Sequence, residues 1–135
     1  MAKRDKPLVR PLSPFMYYNK WPSMFLSILH RFTGLALTAG AVLLVYWLTA
    51  AAMGAQAYAK AQAVFACWIA QLVVVGVVFS FCYHFVNGIR HLVWDTGRGF
   101  ELSAARKSSY VVVVGALALT ALVVAVFWAR VGGAA

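Results

Sequence analysis

Acidic side chains are almost missing. Asp5, Asp95 and Glu101 are the only carboxylates among 135 residues, and charged residues of both signs make up 11%. Three scattered acids do not supply the paired carboxylates of a hydrolytic acid–base site. Nor can so few polar residues clothe a soluble domain, which devotes about a quarter of its residues to charge. A basic, soluble nucleic-acid binder is therefore excluded despite the formal charge of +9, and no nucleic-acid partner is expected. Cysteine is scarce too. Cys67 and Cys82 fall in one expected helix, too far apart to bridge each other, and read as small buried apolar residues.

What the chain does contain is apolar length, with 64% of its residues hydrophobic. Charge is absent from 32–59, from 61–89 and from 108–129. Each of these runs exceeds the about 20 residues that a helix needs to cross a bilayer core. Backbone polar groups in lipid must be satisfied internally, so helix is the expected form, even for the β-branched run after Tyr110. The reading is an all-α membrane protein, a single membrane-anchor domain over 1–135. Its transmembrane helices are placed at about 23–53, 61–94 and 109–129, after an N-terminal segment 1–22.

The basic residues orient these helices. Lys3, Arg4, Lys6, Arg10, Lys20 and Arg31 precede or open the first run, and Arg90, Arg98, Arg106 and Lys107 flank the second connection. Only Lys60 and Arg130 fall on the other side. The positive-inside rule then puts the N-terminus in the cytoplasm and the C-terminus in the opposite compartment; the expected setting is a bacterial inner membrane, with that compartment the periplasm. Trp21 and Trp94 fall at inner ends, and Trp47, Trp68 and Trp128 toward outer ends, as an aromatic belt would place them. The basic start runs into prolines rather than an apolar core, so no cleavable signal peptide is expected.

Function should lie with the residues that interrupt the apolar runs. On the second helix His84, Gly88, His91 and Asp95 share one face, with Asn87 on its flank. His84 lies about 9 Å deeper than Arg90 at the helical rise per residue. An ionisable side chain at that depth points to function, and a neutral imidazole can ligate iron. Gly88 would leave room for a flat macrocycle. Alternatively, His84 bonds a neighbouring helix and Gly88 serves close packing. Both readings stand at this point.

On the first helix Ser27, His30, Arg31 and Gly34 form a second polar stripe. Arg31 keeps its charge and needs an anion or strong acceptor: Asp95, a haem propionate, a quinone carbonyl, or lipid phosphate reached by snorkelling. Asp95 is also spaced to pair with His91 or Arg98. His30 and His91 fall near the expected cytoplasmic boundary, so no internal histidine matches His84 in depth. One axial haem ligand is expected here and the other from a second membrane chain.

The stretch Ser27-Ile28-Leu29-His30-Arg31-Phe32-Thr33-Gly34 resembles the S-I-x-H-R-x-T-G signature of the large cytochrome b membrane-anchor subunits of succinate dehydrogenase (complex II). Residues His84 to Asp95 are similar to that family's H-x-x-x-G-I-R-H-L-x-W-D, and Arg10-Pro11-Leu12-Ser13-Pro14 to its R-P-L-S-P. The likeness covers nearly the whole chain. It departs at Phe15, where many members carry histidine, which leaves any role of that histidine without a counterpart.

The resemblance implies a three-helix anchor within a larger bundle completed by a small membrane-anchor subunit. His84 would be an axial ligand to haem b iron, with the second ligand from the small anchor. His30 and Arg31 would lie near the haem propionates. Ser27 and Arg31 would line the ubiquinone site, and Asp95 an acidic position near the quinone end. A flavoprotein subunit and an iron–sulfur subunit are the implied partners, beside the lipid bilayer. The chain itself carries no flavin or cluster motif. An anchor of a fumarate reductase, or a haem-free membrane scaffold, are the alternatives.

Overall fold

The computed structural model describes residues 23–132. The segment 1–22, with Asp5, Trp21, Phe15 and the R-P-L-S-P stretch, and the tail 133–135 lie outside the described residues. All four prolines fall at or before position 22, so nothing after it removes a helical N–H. The described chain is helical: α1 (Ser23–Ala52), α2 (Ala55–Phe65), α3 (Trp68–Asp95) and α4 (Leu102–Gly132), with no strand among the described residues. Three spans, Met24–Ala52, Trp68–Asp95 and Leu102–Arg130, are long and apolar enough to cross a membrane. Their outward faces are apolar as well; Phe32, Leu35, Leu72 and Val111 are all exposed, which suits lipid rather than water.

Three spans were expected and three are found, with different bounds. The second expected helix, 61–94, is two elements. α2 ends at Phe65, Cys67 takes an extended conformation, and α3 begins at Trp68. The carbonyl of Ala66, left unpaired by the break, accepts from Gln71 Nε2 at 3.2 Å. No charge, proline or glycine marks this point, so a count of charge-free residues runs straight through it. Cys67, expected to be buried, is therefore exposed at the break, while Cys82 is buried; both are free thiols. α4 begins at Leu102 instead of 109, with Arg106 and Lys107 on its first turns. The charge-free window marks the apolar span, whereas the helix continues beyond it.

α3 is the central element, packed along both α1 and α4, while α1 and α4 touch little. The core on the α3 axis comprises Leu26, Tyr83, Val112 and Ala116. Tyr83 donates its hydroxyl to the carbonyl of Leu26 at 2.7 Å, fixing α3 against the start of α1. Further along, α1 approaches α3 through Gly40; a Cβ there would lie 2.6 Å from Val77 Cγ1. The α3–α4 turn uses Gly97 and Gly99, both at φ +79°, where a side chain is strained.

Arg90 corrects the charge reading. It was counted among the boundary cations, yet it is 7% exposed. Its Nε donates to Ser108 Oγ at 2.9 Å, and its Nη2 donates to the carbonyl of Ala105 at 3.1 Å and to Ser109 Oγ at 3.0 Å. The guanidinium also sits 4.1 Å from the centre of the Trp94 ring. A planar guanidinium fork is thus satisfied by neutral acceptors on the neighbouring helix.

Val77 is stiff about its first side-chain torsion and cannot swing away from a new methyl. Gly40→Ala is therefore expected to cost about 1–3 kcal/mol, measured by thermal unfolding of the detergent-extracted protein. Adding Val77→Ala should restore most of the loss; an unaltered melting temperature in Gly40→Ala would contradict the close approach.

Candidate functional site

Three imidazoles meet between α1 and α3. The His30 and His84 rings stack with centroids 3.8 Å apart and planes 14° from parallel. The His91 ring lies 5.3 Å from that of His30. This overturns the expectation that no internal histidine matches His84 in depth. A depth counted from Arg90 assumes that it stands at the boundary, and Arg90 is folded against α4 instead. The stacked pair therefore belongs to one level of the bundle.

Each ring has definite neighbours. Thr33 Oγ1 lies 2.9 Å from the carbonyl of His30 and 3.3 Å from His84 Nδ1. A Cβ at Gly34 would come within 3.3 Å of His84 Cε1. His91 Nε2 is 3.4 Å from Asn87 Nδ2, and its ring meets Trp94 edge-on at 5.3 Å. Among the described residues His91 forms no ion pair with Asp95, so the intrahelical pairing that would have explained it is not present. Two buried polar atoms, His30 Nδ1 and Asn87 Oδ1, have no hydrogen-bond partner within the described residues. Buried polar atoms are rarely left so, and a pair of them beside stacked imidazoles marks a surface built to meet something polar.

Gly88 lies one turn beyond His84 on the same helix. A Cβ there meets nothing within 4 Å. Close packing within this chain does not explain it, and the helix surface next to His84 is open. Gly34 and Gly40 do the packing.

The expected polar stripe on α1 divides. His30 and Gly34 turn toward α3, whereas Ser27 and Arg31 are exposed. Arg31 lines a shallow cleft of about 360 Å³ with Ile28, Phe32 and Leu35. It forms no ion pair or hydrogen bond within the described residues, and Asp95, exposed at the end of α3, is not its partner there. A cationic donor thus flanks an apolar cleft, with the exposed Ser27 hydroxyl one helical turn before Arg31 in sequence. Sequence reasoning assigned no contact to Thr33 or Asn87. Thr33 stands three residues after His30 inside the first signature, and this spacing allows its backbone bond but says nothing about α3.

Among the described residues no three His, Cys, Asp or Glu side chains converge as a cage for a bare metal ion. A macrocycle that brings four nitrogens to its own iron needs only an axial imidazole from the protein. The residues present fit such a group: an imidazole next to an open glycine face, with orphaned polar atoms alongside.

Comparison with known proteins gives this constellation a family. Residues 6–123 match the model of the succinate dehydrogenase/fumarate reductase transmembrane subunit. The chain belongs to that family. It is similar to the succinate dehydrogenase cytochrome b556 subunit of Paracoccus denitrificans, 38% identical over 88% of this chain and 92% of the relative. It is 40% identical to the subunit of the same description from Rickettsia prowazekii, over 84% of this chain and 89% of the relative. The mitochondrial cytochrome b560 subunit of Sus scrofa is 36% identical, over 78% of this chain and 64% of the relative. Within this family the all-helical fold with three long apolar spans is the expected architecture, and it is the one observed.

The two glycines of the signatures should respond oppositely to one methyl group. Gly88→Ala is expected to leave the thermal stability of the isolated, haem-free chain unchanged or raised by up to about 1 kcal/mol, the helix-propensity gain. Gly34→Ala should lower it, because the His84 ring is held by Thr33 and His30 and cannot yield. Equal losses in both variants would return Gly88 to a packing role.

Proposed function

We propose that this chain is the haem b-binding membrane anchor of a succinate:ubiquinone oxidoreductase. The observation that carries this reading is the stacked, half-buried His30–His84 pair beside the open surface at Gly88, in a chain whose relatives are named as cytochrome b subunits of succinate dehydrogenase. His84 is the axial ligand to the haem iron, and a small membrane-anchor subunit supplies the second ligand and completes the helical bundle. His30 and Arg31 serve the propionates. When bound, the haem supplies a one-electron iron couple in the membrane.

The quinone-reducing role rests on Ser27 and Arg31. Reduction of a quinone to a quinol takes two electrons and two protons, and both carbonyl oxygens gain negative charge before protonation. The guanidinium of Arg31 and the hydroxyl of Ser27 donate hydrogen bonds to one carbonyl, orienting the ring and stabilising the charge that builds there. Ile28, Phe32 and Leu35 give the ring an apolar bed. Asp95, unpaired and exposed within the described residues, stands near that end as an acidic group for positioning or proton supply. Electrons arrive from a flavoprotein subunit through an iron–sulfur subunit, both docked on the cytoplasmic face where the basic residues gather. The chain lies in a bacterial inner membrane, N-terminus inside. The relatives' names favour succinate oxidation over fumarate reduction.

The test uses the assembled complex. His84→Ala should abolish the native low-spin b-type absorption; a spectrum left unchanged would remove His84 from the ligand position. Arg31→Ala should slow quinone reduction by about 10- to 100-fold, the worth of one charge-assisted hydrogen bond. Succinate oxidation with an artificial acceptor should survive in that variant. Loss of both activities together in an assembled complex would refute the quinone role.

A further inference from the structure

We propose that Thr33 is a positioning residue that selects the tautomer of His84, its hydroxyl oxygen accepting a hydrogen bond from Nδ1–H so that Nε2 keeps a free lone pair. This rests on His84 as the iron ligand and adds the residue that prepares it.

The inference follows from counting protons. The Thr33 hydroxyl has one proton and two acceptor lone pairs. It has two partners, the His30 carbonyl at 2.9 Å and His84 Nδ1 at 3.3 Å. A carbonyl only accepts, so the shorter contact uses the hydroxyl's proton, the usual backbone bond of a helical threonine. The longer contact can then run in one direction alone: His84 Nδ1–H donates to Thr33 Oγ1. A neutral imidazole carries one N–H, so Nε2 is left unprotonated and able to coordinate. Thr33 is 4% exposed, and no bulk water competes for the contact.

Two further neighbours hold the ring in that orientation. The His30 ring covers one face. The missing side chain at Gly34 admits the Cε1 edge, which a methyl group would crowd. The adjacent Thr33 and Gly34 therefore act together: one accepts the hydrogen bond from Nδ1–H and the other makes room for the ring. A histidine ligand whose second nitrogen donates a hydrogen bond is a stronger electron donor to its metal, and removing such a partner typically costs about 10- to 100-fold in affinity. Electron donation favours the ferric state, so Thr33 lowers the midpoint potential of the haem.

The experiment is a redox titration of the b-type absorption in the assembled complex, with haem retention measured alongside. Thr33→Val removes the hydroxyl at nearly constant volume. It should raise the midpoint potential and weaken haem retention about tenfold or more, whereas Thr33→Ser, which keeps the hydroxyl, should resemble the wild type in both. If Thr33→Val does not assemble, Thr33→Ala deletes the same hydroxyl without a bulkier replacement and is read in the same way. A potential unchanged on loss of the hydroxyl, or shifted as far in Thr33→Ser as in Thr33→Val, would overturn the role of Thr33. His84→Ala is the control for the underlying reading. An unaltered spectrum there removes the ligand, whereas a lost spectrum together with an unmoved Thr33→Val potential removes only this inference.

Discussion

An imidazole inside an apolar bundle has two ring nitrogens to satisfy, and much of the arrangement follows from where those nitrogens go. His84 Nδ1 faces Thr33 across the α1–α3 contact, and the His30 ring lies flat against its own. This requires α1 and α3 to approach closely over several turns. Gly34 and Gly40 make the approach possible, and larger residues on that line would separate the helices. The rotation of α1 that turns His30 and Gly34 inward also leaves Ser27 and Arg31 outside. A single helix thus serves two surfaces. One is an internal imidazole cluster, and the other is an exposed cationic donor beside an apolar cleft.

The remaining helix contacts are secured by hydrogen bonds that would be weaker in water. Tyr83, next to His84 in sequence, bonds the Leu26 carbonyl on α1. Arg90 makes three bonds to α4 and stacks on Trp94, whose indole N–H in turn donates to the carbonyl of Gly99 at 3.1 Å. These bonds draw α1 and α4 onto the same end of α3, from different sides. Gly88 stays clear of both neighbours, so its surface is available to a helix or a flat group from outside the chain.

The three spans could be read from sequence because charge is costly in lipid and its absence over 32–59, 61–89 and 108–129 is unambiguous. The break at Cys67 could not, since an apolar stretch can change direction without a charge, proline or glycine to mark it. Arg90 shows a different difficulty. A basic residue near a helix end has the same spacing whether it snorkels to headgroups or folds back, and only the neighbouring helix, with Ser108 and Ser109 in reach, decides. The His30–His84 contact was hidden for a related reason: counting residues along each helix measures depth from an assumed boundary, whereas the register between helices is set by packing. Residues with distinctive chemistry, His84 and Arg31 among them, stood out against the apolar background. Thr33 and Asn87 did not, because threonine and asparagine gain their significance from what lies opposite.

Arg90 also bears on how the chain enters a bilayer. A guanidinium cannot discard its proton, and α3 alone offers it no acceptors at that level beyond backbone already used by the helix. Its hydrogen-bond acceptors are all on α4, brought alongside by the turn at Gly97 and Gly99. The cation is therefore sheltered only when both helices of the hairpin are side by side, and insertion of the two is energetically coupled. α1 has no comparable tie to α4. α1 is thus free to dock last, closing over His84 onto a hairpin that is already in place.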